Sequence, residues 1–247
     1  MTSNPTVVLS MVIFVAFMIS LSKGGLGGML GALATPMMVL VMPANQVLGL
    51  LLPILLLGDM FAMALHWGKW NARLVWLLTP GAVLGVTAGT YFIANAPTNV
   101  LKLGLAFVTL VFVFYKLIEK RLLASLKYEE HPWHGWLAGT AGGFASSLAH
   151  SGGPPISIYL MLQEVTPGVF NGTSVLFFAI LNWIKVPYYL YINLFDFQRL
   201  WQIAWIAPVV PLGVWVGHWM GTRISKEVFD SLMVALLLLT ALLLIFT

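Results

Sequence analysis

Between residues 24 and 58 the chain carries no Asp, Glu, Lys or Arg, and the same is true of residues 74–94 and 200–222. Residues 132–163 are equally free of them and hold two His. Each run reaches the roughly 20 apolar residues with which a helix crosses about 30 Å of hydrocarbon. Charged residues make up 8% of the chain and hydrophobic ones 60%, whereas a water-soluble domain carries about 25% charge. These runs predict an all-α integral membrane protein with several spans, whose chief partner is the lipid bilayer. No cysteine is present, so disulfides and thiolate metal sites are excluded, and no metal or cofactor motif appears. The twelve Lys and Arg against eight Asp and Glu lie mainly in short loops. There they orient a membrane protein rather than bind nucleic acid. The N-terminal MTSNPTVV lacks the basic start and cleavage site of a signal peptide, so the first apolar stretch reads as mature protein.

Apolar stretches run over 6–42, 46–66, 74–94 and 99–117, and again over 133–163, 170–193, 200–222 and 228–246. This is one four-element pattern used twice, which predicts an N-terminal repeat over 1–118, a charged cytoplasmic linker over 119–131 and a C-terminal repeat over 132–247. Gly81, Gly85 and Gly89 recur as Gly213, Gly217 and Gly221, Asp59 aligns with Asn182, and Arg73 with Arg199 after a gap. Glycines four apart form a flat ridge along which helices approach closely in lipid. Such ridges either pack the two halves together or join two protomers as a homodimer.

The first element of each half needs a break, because residues 6–42 as one helix would run about 55 Å. Lys23-Gly24-Gly25-Leu26-Gly27-Gly28 and His150-Ser151-Gly152-Gly153-Pro154-Pro155 supply it. If each broken element turns back as a re-entrant hairpin, each half crosses an odd number of times and the repeats are inverted. One side then holds Lys69, Arg73, Lys116, Lys120, Arg121, Lys127, Arg223 and Lys226, and the other Lys102 and Arg199. The positive-inside rule favours this arrangement and puts both termini outside. Trp67, Trp70, Trp76, Trp133, Trp136, Trp201 and Trp205 cluster near the loops as interfacial anchors.

Three ionisable residues fall inside apolar elements: Lys23, Asp59 and Lys185. A charge at mid-bilayer costs about 2.5 to 3.5 kcal/mol, so such residues should face a cavity or one another. Two Lys against one Asp leave one positive charge in excess, which points to an anionic substrate. Lys185 either bends its stem toward the interface or lines the interior. Asp59 has too short a side chain to reach water and either functions directly or pairs with a Lys. A half-helix starting after each break would present free N–H groups and a partial positive charge. Ser22 and Ser151 could add hydroxyl donors, and His150 either donates, carries a coupling proton or fills a polar gap. Asn182 and Lys185 are three apart and share a helix face. Gly24, Gly25, Gly27, Gly28, Gly152 and Gly153 complete the candidate cage, with Asp59 or His150 as the group that would couple transport to protons.

Ser22-Lys23-Gly24-Gly25-Leu26-Gly27-Gly28 followed by Pro36, the run from Ala149 through Pro154-Pro155 to Leu160, and Phe177-Phe178-Ala179-Ile180-Leu181-Asn182-Trp183-Ile184-Lys185 together resemble the sulfite exporter TauE/SafE family of membrane permeases. The resemblance runs over essentially the whole chain. It implies an inner-membrane transporter for sulfite or sulfur-containing organic anions, usually an exporter, with Lys23, His150 and Ser151 at the substrate. The family more commonly carries three adjacent glycines in both motifs, where this chain has Gly-Gly-Leu-Gly-Gly and His-Ser-Gly-Gly. Two other classes compete: a passive anion channel, which would use the same dipoles, and an intramembrane serine hydrolase built on Ser151 and His218.

Overall fold

A computed structural model describes residues 5–25, 29–125, 129, 131–221, 223, 234, 235, 237–240 and 242. All regular structure among them is helical. The helices are α1 (Pro5–Gly25), α2 (Met29–Val39), α3 (Ala44–Leu65), α4 (Ala72–Asn95), α5 (Thr98–Ser125), α6 (Pro132–Ala149), α7 (Gly153–Leu162), α8 (Pro167–Tyr191), α9 (Phe197–Ile203) and α10 (Val209–Gly221). Thr6–Gly25, Ala44–Leu65, Ala72–Asn95, Thr98–Glu119 and Pro167–Tyr191 are each long and apolar enough to span a membrane. On α5 the exposed Leu103, Phe107, Phe114 and Leu117 form one outward stripe, an arrangement that lipid accepts and water does not. Trp67, Trp76, Trp133, Trp136, Trp201 and Trp205 are all exposed, and Trp70 is half-buried against Trp67.

Three sequence expectations need adjusting. The stretch over 200–222 is not one helix: α9 runs into a 3-10 turn at Ala204–Ile206, and the two parts meet at 54°. Pro208 lies at that bend, where its missing N–H cannot continue the ladder. The linker expected from residue 119 is helical as far as Ser125, and buried Glu119 is tied to Tyr115 at 2.7 Å and Lys116 at 2.5 Å. The second break falls where the sequence put it, between Ala149 and Gly153, but Pro154 and Pro155 do not make it; they sit in the first turn of α7, where a missing N–H costs nothing. The last apolar stretch, 228–246, falls largely outside the described residues.

The glycine ridges are used within the chain, and crosswise. Gly81 and Gly85 of α4 lie so close to α6 that a Cβ would come within 2.0 Å of the Trp136 carbonyl oxygen and 2.1 Å of that of Thr140. From the other side, Gly139 and Gly143 meet α4 at Leu78 and Ala82 in the same way. On α10, Gly217 faces the Leu21 carbonyl of α1, and Gly24 faces the Val214 carbonyl. Gly89 lies against Ser147 and Gly213 against Ser20, and each serine turns its hydroxyl back onto the carbonyl four residues earlier. The third element of each half thus packs on the first element of the other, and α4–α6 and α1–α10 are the most extensive helix pairs described. Such contacts are what backbone approach without Cβ atoms permits in lipid. Between these two pairs stand α3 and α8, which touch each other and carry the buried Asp59, Thr173, Asn182 and Lys185.

Candidate functional site

Asp59 lies about 22 Å along α3, at 1.5 Å per residue from Ala44. Its Oδ1 accepts from the Lys23 ammonium of α1, forming a buried ion pair, and its Oδ2 accepts from Asn182 Nδ2 of α8 at 2.6 Å. The two positions that align between the halves, Asp59 and Asn182, therefore touch. The Lys23 stem runs past Gly58, where a Cβ would come within 2.8 Å of its Cδ.

A second cluster lies deeper. Lys185 is fully buried, so its stem does not reach the interface. Its ammonium donates to Ser146 Oγ at 3.0 Å, to the Ser146 carbonyl at 3.4 Å and to His150 Nδ1 at 2.9 Å. The other ring nitrogen, Nε2, stands 3.1 Å from the Leu48 carbonyl, which can only accept. Nε2 therefore carries the proton and Nδ1 is left to accept from Lys185. His150 holds the left-handed conformation with φ 51°, rare for any residue but glycine, as its N–H closes α6 onto the Ser146 carbonyl. Its ring bonds to α3 and α8 fix that strained turn in place.

Between the first break and the starts of α7 and α8 is a cavity of about 60 Å³, lined by Ser22, Lys23, Gly25, Asp59, His66, Gly153, Ser157, Phe170, Asn171, Ser174, Val175 and Phe178. At about 10 to 15 Å³ for each water-sized occupant, it has room for only a few. Among the described residues Ser22 Oγ is buried there without a hydrogen-bond partner, a costly state unless a ligand or water completes it. Gly153 leaves open space where a Cβ would project. His66, just past the end of α3, is held below the usual imidazole range by burial, with Lys69 and His218 adding to the effect.

Of the residues singled out in the sequence, Ser22, Lys23, Gly25, Gly153 and Asp59 line this cavity. Gly24 is committed to α10, and Gly152 packs on the Gly142 carbonyl of α6. Asn182 stands behind Asp59, while His150 and Lys185 form the separate inner cluster. Ser151 Oγ donates to the carbonyls of Ala149 at 3.1 Å and Ala32 at 3.4 Å, so its hydroxyl is directed at acceptors and not at a histidine base. Gly27 and Gly28 lie outside the described residues. The α7 start supplies less than a generic helix N-terminus, because Pro154 and Pro155 lack N–H groups and leave Gly153 the one donor in its first three positions.

His66, Ser157, Phe170, Asn171, Ser174, Val175 and Phe178 escaped sequence reasoning. A signal existed on α8: residues 171, 174, 175 and 178 recur at helical spacing, and 182 and 185 continue the same stripe. Asn182 and Lys185 are thus the inner end of one helix face whose outer end, with polar Asn171 and Ser174 and apolar Val175 and Phe178, is the cavity wall.

Among the described residues no group of His, Cys, Asp and Glu could hold a metal ion. No curated protein sequence and no solved structure matches the chain significantly. The sequence model of the family described as sulfite exporter TauE/SafE matches residues 12–244, so that this multi-pass chain, with its buried ammonium groups, belongs to that family of membrane transporters.

Proposed function

We propose that the protein is a secondary transporter that exports a small sulfur-containing anion, sulfite or an organosulfonate, across a bacterial-type inner membrane by alternating access. The observation that carries this reading is the cavity in which an ammonium, an unpartnered serine hydroxyl and a helix-starting glycine converge. Lys23 holds the negative charge, Ser22, Ser157, Asn171 and Ser174 donate to the anion's oxygens, and Phe170, Val175 and Phe178 face a carbon substituent. Lys185 acts from behind as a fixed positive field. Asp59 and His150 are the two groups that could couple this movement to protons.

The halves form an inverted repeat, each opening with a re-entrant hairpin, with both termini outside. Support comes from the loop charges and from α2, whose Ala34 and Met38, with Met42 just beyond its end, share one apolar cluster with Val12, Val15 and Ile19 of α1. The bodies that rock are not the two sequence halves, since α4 is locked to α6 and α10 to α1. Motion instead separates an α1–α2–α10 unit from an α4–α6–α7 unit, with the cavity between them.

Flux of sulfite and small sulfonates into and out of proteoliposomes tests this reading. Lys23→Met should abolish saturable flux and binding. Unchanged affinity would remove Lys23 from the site, and absence of wild-type flux for every sulfur anion would sink the substrate class while leaving the fold intact.

A further inference from the structure

Asp59 already makes the claim on Lys23 that a bound anion would make. One carboxylate oxygen takes the ammonium, the other is held by Asn182 at 2.6 Å, and both Lys23 and Asp59 line the cavity. Asp59 is thus fixed on two sides and cannot swing away when an anion arrives. An anion drawn to Lys23 comes to rest beside a carboxylate in a poorly solvated space, and two negative charges sharing one site favour proton uptake by one of them. From this geometry we infer that Asp59 takes up one proton for each monoanion that binds, passing Lys23 from its internal ion pair to the anion, so that proton and anion travel together. The inference rests on the reading of the cavity as the anion site.

The charges balance. In the empty protein Lys23, Lys185 and Asp59 sum to one positive charge. With the proton on Asp59, its bond to Lys23 is broken, the carboxylate has become an acid, and Lys23, Lys185 and the monoanion again sum to one. Loaded and empty carriers carry the same charge, so movement is electroneutral and its direction follows the combined anion and proton gradients.

The groups around Asp59 argue against other proton carriers. Facing it are Lys23 from α1 and, within electrostatic range, Lys185 from α8; His150 at the end of α6 interacts with both ammonium groups. Both ring nitrogens of His150 are engaged, and a second proton there would stand against the Lys185 ammonium. His66, just past the end of the helix that carries Asp59, lines the cavity, and His218 of α10 lies near His66. No titratable residue occurs on α2, and α5 packs on α3 through Leu101 and Leu105 opposite Leu48 and Leu52, about two turns before Asp59.

Methanesulfonate, whose charge does not change with pH, is the probe, and its binding to the full-length protein is measured between about pH 5 and pH 8. Wild-type affinity should fall as pH rises, approaching about tenfold per pH unit at one proton per anion. Asp59→Asn should bind tightly with no slope, and His66→Gln should keep the wild-type slope. In weak buffer, the wild type should take up one proton per methanesulfonate bound, a readout that stands even if Asp59→Asn does not fold. A flat wild-type profile, a slope that survives in Asp59→Asn, or one lost in His66→Gln overturns the inference. Absence of methanesulfonate binding by the wild type at every pH overturns the anion site itself, and is told apart because binding, not its slope, is missing.

Discussion

Lys23 and Lys185 both lie inside the bundle, but only Lys23 has a carboxylate beside it and a cavity in front of it. Lys185, wholly buried, is held by Ser146 and His150, none of them negatively charged while His150 accepts through Nδ1. Burying an ammonium is costly, and the two sites offset that cost differently. An ion pair open to a cavity can exchange its anion for another. On the reading proposed above, an ammonium enclosed by hydroxyl, carbonyl and imidazole acceptors has nothing to exchange and serves as fixed charge. The partner and the access route, not burial alone, would then separate a working charge from a supporting one.

The contrast can be tested directly because the chain has no native cysteine. Ser22 and Ser146 belong one to each cluster, and both are buried. Reaction of Ser22→Cys with a small thiol reagent should outpace that of Ser146→Cys by on the order of 100-fold, as access governs thiol reactivity. Equal rates would show the inner cluster to be as open as the outer. A smaller effect is expected of Lys185→Met, which should weaken methanesulfonate binding about tenfold through loss of its field alone. A loss as complete as that of Lys23→Met would place Lys185 in contact with the anion. The smallest change belongs to Ser22→Ala: affinity should drop about fivefold, the net worth of one typical hydrogen bond, while thermal stability of the empty protein rises slightly as an orphaned hydroxyl is removed. Undiminished affinity in a more stable protein would mean that the hydroxyl never meets the anion.

Much of the outer cluster was legible in the sequence. Two opposite charges stranded in apolar segments must meet, and Lys23 and Asp59 do. Lys23 sits beside the first glycine break in the sequence, and irregular backbone survives in a membrane only where something polar lines it; that Asp59 would pair there with Lys23 rather than Lys185 depends on how α1 and α3 pack. The inner cluster was less legible: three-residue spacing put Asn182 and Lys185 on one face, but that His150 would receive Lys185 depends on how α6 and α8 cross. The cavity wall was missed because Ser157, Asn171 and Ser174 are ordinary polar residues near helix starts. Their meaning comes only from the α1 break standing opposite them. The bend between α9 and α10 was written in Pro208, yet an uninterrupted apolar run masked it.

The crossed packing of the glycine ridges also bears on how the protein is made. The α4–α6 contact joins helices separated in the chain by α5 alone and can close as soon as both have entered the membrane. Gly24, by contrast, must wait for Gly217, which lies far later in the sequence. Until then α1 has no partner for its flat face, and the ends of the outer ion pair are held by an incompletely buttressed helix. The closure that completes the wall carrying Lys23 is thus a long-range one, so assembly of the site follows that of the α4–α6 pair.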